Sequence, residues 1–428
     1  MLENTQLTFI EKKINTDDWT FHKANTRELS HCYHDYPARM IPQIAGKALD
    51  LFGRGAKLLF DPYCGTGTSL VEANIRGINA IGTDLNPLAR LIAKSKTTTF
   101  DIKDLEKLIT QFNRLTLEDK LSKIGEIKEI YGISNLFFWF KPEVVKDLST
   151  IRIFIQEIED DSTRLFFQIA FSETVRESSN TRNGEFKLYR YSKKKLENFS
   201  PDVYGIMVEK LQRNLKGAKQ YKAIIENFKS PPFSKIYSFN TGENIPKKTL
   251  ADNSVDIVVT SPPYGDSRTT VAYGQYSRLS AAWLELEEPG KIDQSLMGGR
   301  KSKEITSFPS EVLNEKIKII QSENKKRALE VVSFYKDLYN SMENIAKVIK
   351  PEGYSVYVVG NRKVAGEILP TDIVIKDFFE HFGMNYVETF KRSIPNKRMP
   401  SKNSPTNKKG ALDHTMTKEY IVVMQKRR

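Results

Sequence analysis

The residues best suited to chemistry are Ser261-Pro-Pro-Tyr264, which close the apolar run Val255–Thr260. Two consecutive prolines stiffen the backbone and remove two N–H donors. Carbonyl oxygens around Pro262 and Pro263 and the Ser261 hydroxyl can then converge as acceptors on one amino group. An amino nitrogen conjugated to a ring is a poor nucleophile, because its lone pair is delocalised. Accepting hydrogen bonds from both of its N–H groups favours the pyramidal amine, localises the lone pair and stabilises the positive charge that develops as it attacks. No strong general base is required, since the proton can leave after the new bond forms. Tyr264 adds a flat face on which a heteroaromatic ring can stack.

A second segment, Asp61-Pro-Tyr-Cys-Gly-Thr-Gly-Thr68, offers Gly65 and Gly67 where a backbone must pass close to a ligand. Asp84, followed by Leu85 and Asn86, ends the next strand, and a carboxylate there can accept both ribose hydroxyls of an adenosine. The phosphate-binding GK[ST] signature is absent, as is a full GxGxxG, which disfavours ATP and NAD and leaves a nucleoside without phosphates. S-adenosylmethionine fits that description. Cys64 sits inside this turn and reads as a small packing residue, not a nucleophile.

The elements that must position these groups follow from periodicity. Residues 57–84 read as strand, Gly-rich turn, helix and strand. Residues 100–234 read as mainly helical. Strands are expected again at KIYSFN, VDIVVT, YSVYVVGN, NYVETFKRSI and EYIVVMQK, with helices at ALEVVSFYKDLYNSMENIAKVI and IVIKDFFEHFG. The stretch from Gly265 to Lys325 reads as irregular. Strands alternating with helices predict an α/β, doubly wound, mostly parallel sheet whose ligands bind outside the carboxyl ends of its strands. The Gly-rich turn, Asp84, Glu243 and Ser261 all fall at such ends.

At 428 residues the chain has room for a catalytic domain and a large insertion. No apolar run approaches the ~18 residues of a membrane span. The first residues lack the basic and apolar regions of a signal peptide, so a cytoplasmic location is expected. Two cysteines and five histidines without ligand spacing predict neither disulfides nor a metal. Lys and Arg number 66 against 53 Asp and Glu, a net +13, the balance of a protein that meets a polyanion. Residues 391–428 hold eleven basic residues, Lys397 and Arg398 among them, against two acids.

With these motifs in place, the chain resembles the amino-methyltransferases of DNA, in particular the N4-cytosine group. Their DPFCGSGT-like motif is matched by DPYCGTGT, with Tyr63 for Phe and Thr66 for Ser, and their TSPPY motif by Thr260–Tyr264 without change. The family's two acids fall on Asp84 in GTDLNPLA and Glu243 in TGEN. His34–Pro42, with Tyr36 and Pro37, is similar to the helical segment that the family places near the methionine end of the cofactor. IKPEGYSVYVVGN and RMPSKNSPTN are similar to later parts of such enzymes. The resemblance covers residues 31–100 and 236–428.

It implies a Rossmann-like, S-adenosylmethionine-dependent methyltransferase fold with a mostly parallel seven-stranded sheet. Residues 1–100 and 236–428 would form the catalytic domain, and 101–235 a mainly helical insertion able to carry target recognition. Ser261, Pro262, Pro263 and Tyr264 would be catalytic. Tyr36, Pro37, Asp61, Cys64, Gly65, Thr66, Gly67, Thr68, Asp84, Leu85, Asn86 and Glu243 would hold the cofactor. The substrate would be the N4 amino group of a cytosine flipped out of double-stranded DNA, and a cognate restriction endonuclease would act at the same site. Arg182 and Lys187, in SSNTRNGEFKLYR, would touch DNA together with Arg268, Lys397 and Arg398. Three alternatives stay open. Adenine N6 would be the target in relatives that usually carry Asp or Asn at the Ser261 position; a guanosine amino group of RNA would suit the DPPYG form, which Gly265 echoes; and a catalytically silent nucleic-acid binder would need neither intact turn.

Overall fold

The computed structural model describes residues 18–117, 129–265, 272–394, 402–403, 413–414 and 417–428. Seven strands form one sheet: β1 (Leu58–Asp61), β2 (Asn79–Thr83), β3 (Ser234–Tyr237), β4 (Val255–Thr260), β5 (Ile349–Val359), β6 (Met384–Ser393) and β7 (Lys418–Lys426). Their spatial order is 3-2-1-4-5-7-6. Strands β3, β2, β1, β4 and β5 run parallel, while β7 lies between β5 and β6 and is antiparallel to both. The chain winds outward from β1 to β3 on one side, then returns to β4 on the other. That reversal opens a crevice at the carboxyl ends of β1 and β4.

The central strands are apolar on both faces, and their alternation builds two layers of core. Leu59, Ile257, Val259, Val356, Val358, Ile421 and Val423 face helices α1 (Pro42–Phe52) and α2 (Thr68–Asn74). Phe60, Val258, Tyr357, Val359, Val422 and Met424 face the other way. There they meet α9 (Glu311–Glu323), α10 (Lys325–Val348) and α11 (Thr371–His381). Helix α3 (Pro87–Lys96) begins with Pro87 at its first position, and the Asn86 side chain caps it by accepting from Leu88 N.

Between α3 and β3 the described residues are mainly helical, with α4 (Ile102–Leu117), α5 (Pro142–Gln156), α6 (Asp161–Ser178) and α7 (Val203–Ile225). These helices do not form a separate body. Their core also contains Leu88 and Ile92 of α3 and Leu279, Ala282 and Trp283 of α8 (Tyr273–Trp283).

Two expectations change. Residues 34–41 are not helical: a short 3-10 turn ends at Cys32 and a regular helix starts only at Pro42. Pro37 and Pro42 explain this, because each holds the residue before it away from the helical region. The stretch from Gly265 to Lys325 contains α8 and all of α9. Helix α8 is buried on most sides against α6, so it shows no polar stripe by which periodicity could reveal it. Among the described residues no helix is long and apolar enough to cross a membrane.

Candidate active site

A cavity of about 690 Å³ opens at the carboxyl ends of β1 and β4. Its floor is the turn after β1. Gly65 (φ +48°) and Gly67 (φ +75°) both have left-handed backbones that disfavour other residues, but they serve different ends. A Cβ on Gly65 would meet nothing within 4 Å, and the residue faces the cavity. A Cβ on Gly67 would lie 3.0 Å from that of Ala93, so Gly67 lets α2 approach α3 and does not line the cavity. Cys64 is buried, and burial pushes its thiol well above the usual range, which suits a packing role. Thr66 and Thr68 lie on the wall.

The two acids differ as well. Asp61 Oδ1 accepts from Thr260 Oγ1 (2.5 Å) and Tyr63 N (3.1 Å), and its Oδ2 accepts from Ser69 Oγ. Burial pushes this carboxyl up to about 6 although all three donors act against it. Asp61 therefore ties β1 to β4 and α2, and both of its oxygens are already engaged. Asp84 is half-buried. Its Oδ2 accepts from Gly65 N (3.0 Å) and its Oδ1 from Asn86 N (2.7 Å). Each oxygen of Asp84 keeps a further acceptor position, so the group can still take a ligand diol from the cavity it lines.

Asn86, buried, donates from Nδ2 to Tyr36 Oη (2.7 Å) and Ser277 Oγ (2.8 Å). It is thus a strut for Tyr36, whose ring stacks on Tyr273 at 5.9 Å and meets Tyr276 edge-on at 5.5 Å. Tyr36, Pro37 and Leu85 line the cavity. The helical insertion fixes this wall from behind. Glu173 on α6 accepts from Asp35 N (2.9 Å) and from Arg213 on α7 (2.6 Å), and Arg213 also donates to Tyr33 O (2.7 Å). Nothing local in the sequence marks Glu173 or Arg213 for this task. Glu243 is exposed at the cavity rim, where its Oε1 accepts from Asn240 Nδ2 (3.2 Å).

Of the Ser261–Tyr264 turn, Ser261 and Pro263 line the cavity, whereas Pro262 is buried and Tyr264 stands behind the wall. Tyr264 Oη donates to Glu419 Oε1 (2.8 Å) and lies 3.4 Å from Ser261 Oγ. Arg392 pairs with the other Glu419 oxygen at 3.2 Å. In the sequence Glu419 is merely one of two acids in a basic stretch. Arg182 is exposed and Lys187 half-buried on the surface of the insertion. Arg268, Lys397 and Arg398 lie outside the described residues.

This constellation fits an adenosine-containing methyl donor: an open left-handed glycine, a carboxylate with free acceptor positions, and an aromatic wall braced by hydrogen bonds. No protein-family model matches the chain. Type II methyltransferase M.MvaI of Kocuria varians is 41% identical over 439 residues, covering 97% of this chain and 96% of that protein. Type II methyltransferase M.MjaII of Methanocaldococcus jannaschii is 22% identical over 471 residues, or 89% and 79% of the two chains. A tRNA (guanine(10)-N2)-dimethyltransferase of the same organism is 32% identical over 169 residues, which are 34% of this chain and 45% of that one.

Proposed function

Because the chain belongs to the type II methyltransferases, we propose that it methylates the N4 amino group of cytosine at a specific site in double-stranded DNA, as the modification partner of a restriction endonuclease. S-adenosylmethionine supplies the activated methyl group when bound, and Asp84, Gly65 and Tyr36 are the residues that would hold it. The observation that carries the reading is that Ser261 and Pro263, at the end of β4, open into the same cavity as Asp84 and Gly65. Relatives acting on adenine usually have Asp or Asn where this chain has Ser261, which favours cytosine.

In this reading the target base leaves the helix, at a cost of a few kcal/mol, and enters the cavity beside Ser261 and Pro263. The Ser261 hydroxyl and the carbonyls of the Pro-Pro turn accept from its amino group and aim the nitrogen lone pair. After methylation the amine releases its proton. Cys64 takes no part.

Arg182 and Lys187 belong to a basic, aromatic face of the insertion that would hold the duplex. Residues 180–195 contain six basic side chains against one acid. The guanidinium of Arg190 lies 4.5 Å over Phe138 and that of Arg182 lies 6.0 Å over Tyr189, and both rings are exposed. This face is tied to α8 by Leu188 N donating to Gln275 Oε1 (3.3 Å).

The test is incubation with tritiated S-adenosylmethionine and either unmethylated genomic DNA or total RNA, followed by digestion to nucleosides and mass identification. N4-methylcytosine in DNA is expected. N6-methyladenine, or label in RNA alone, would replace the substrate proposed here while keeping the chemistry.

A further inference from the structure

Tyr264 and Glu419 are separated by 155 positions, yet the Tyr264 hydroxyl ends on the Glu419 carboxylate at 2.8 Å. Glu419 stands directly opposite Arg392 in the antiparallel pairing of β7 with β6. Their side chains are 16% and 4% exposed, and the guanidinium lies 3.2 Å from the carboxylate oxygen that Tyr264 does not use. With one oxygen paired to the buried Arg392 guanidinium, the Glu419 carboxylate acts as an acceptor, and the Tyr264 hydroxyl is the donor to its other oxygen.

The directions of the neighbouring hydroxyls follow from that. Tyr264 must donate to Glu419, which leaves the phenol oxygen as an acceptor. Burial holds the Tyr264 proton in place, pushing its ionisation far above the ordinary range. Ser261 Oγ, 3.4 Å away, has one proton and can direct it at that phenol oxygen. What Ser261 then presents to the cavity is lone pairs.

We propose that Glu419 is a positioning residue for the active-site turn: by orienting the Tyr264 and Ser261 hydroxyls it turns Ser261 into an obligate acceptor for the substrate amine. The inference rests on the reading of Ser261 as an amine acceptor. Without the carboxylate both hydroxyls are free to reverse. A Ser261 that points its proton into the cavity opposes the amine N–H groups it should bind.

The experiment is a double-mutant cycle on the full chain with Glu419→Ala, Tyr264→Phe and the combination. Each is assayed for kcat and KM with unmethylated bacteriophage DNA and tritiated S-adenosylmethionine, and for DNA and cofactor binding by titration. Tyr264→Phe keeps the ring and removes only the hydroxyl, so it tests the chain of hydrogen bonds even if Glu419→Ala, which strands Arg392, folds poorly. The expected result is a fall in kcat of about tenfold for each single variant, no further fall in the double variant, and Kd for DNA and cofactor within about twofold of wild type. Full kcat in Tyr264→Phe, or independent losses that multiply in the double variant, would overturn the proposal. Ser261→Ala separates this from failure of the underlying reading. If Ser261→Ala keeps its kcat, the acceptor role itself is wrong; if it loses kcat while Tyr264→Phe and Glu419→Ala do not, only the role of Glu419 is wrong.

Discussion

Asp61 and Asp84 stand at the ends of adjacent strands, and the number of donors each already satisfies separates their tasks. Asp61 accepts three hydrogen bonds from Thr260, Tyr63 and Ser69 that tie the fold together, whereas Asp84 accepts only two backbone N–H groups and keeps an acceptor position on each oxygen toward the cavity. Asp84→Ala is therefore expected to weaken S-adenosylmethionine binding about 10- to 100-fold in calorimetric titration, the worth of a charged hydrogen bond or two; unchanged affinity would remove Asp84 from the site. A different single residue adds its own pH dependence to stability above neutrality. Lys96 is 1% exposed, its Nζ has no hydrogen-bond partner, and burial together with Arg39 brings its ionisation down to about 7. The unfolded chain holds this proton up to about pH 10.5, while the folded protein releases it near 7. Between those values the unfolded state binds more protons, so stability rises with pH. Wild type should gain up to about 1.4 kcal/mol per pH unit relative to Lys96→Met between about pH 7.5 and 8.5, measured by chemical denaturation. Parallel pH profiles for the two proteins would show that Lys96 stays charged when folded.

At the level of elements, the insertion bears on the cavity through a hydrogen-bonded clamp. Glu173 of α6 and Arg213 of α7 hold the backbone of residues 33–35, and this places Tyr36 against Tyr273 and Tyr276. The outer side of the same insertion carries Lys193, Lys194 and Lys195, all exposed, in a short helix that buries nothing. Their replacement together by alanine leaves the core untouched. The expected outcome is a salt dependence of DNA binding that is shallower by about 0.9 in log–log slope for each phosphate these lysines neutralise, with kcat at saturating DNA unchanged. An unaltered slope would move the duplex to another face.

Across the whole molecule, three layers of α, β and α account for the catalytic portion, and the insertion joins them through a shared core. Trp283 of α8 is fully buried, with ring centroids 5.7 Å from Phe140 and 6.2 Å from Phe171, both in the insertion. Removing residues 101–230 would bare Trp283, Leu88 and Ile92, a continuous apolar surface of the kind that aggregates. Such a deletion is expected to lose the cooperative thermal transition and bind no cofactor. A soluble, cooperatively unfolding product that still binds S-adenosylmethionine would mean that the insertion is a detachable domain.

What can be read from the sequence alone shares one property: it is short-range. The turn Asp61–Thr68, the acid at Asp84 and the prolines after Thr260 each act within a few residues of a strand end. Strand ends are marked by apolar alternation, so both the doubly wound sheet and the location of its crevice are legible there. Tertiary structure decides the rest. Which glycine faces a ligand and which faces Ala93, and which aspartate is spent on Ser69 and Thr260, depend on how α2, α3 and β4 converge in space. The strut from Asn86 to Tyr36 and its backing by Glu173 and Arg213 join residues up to 180 positions apart. Glu419 reaches Tyr264 only because β7 inserts antiparallel between β5 and β6 in one particular register. Local propensity carries no information about such a register, because a strand's own residues specify that it pairs and which face it buries, while its partner and alignment are chosen by the packing of the whole sheet.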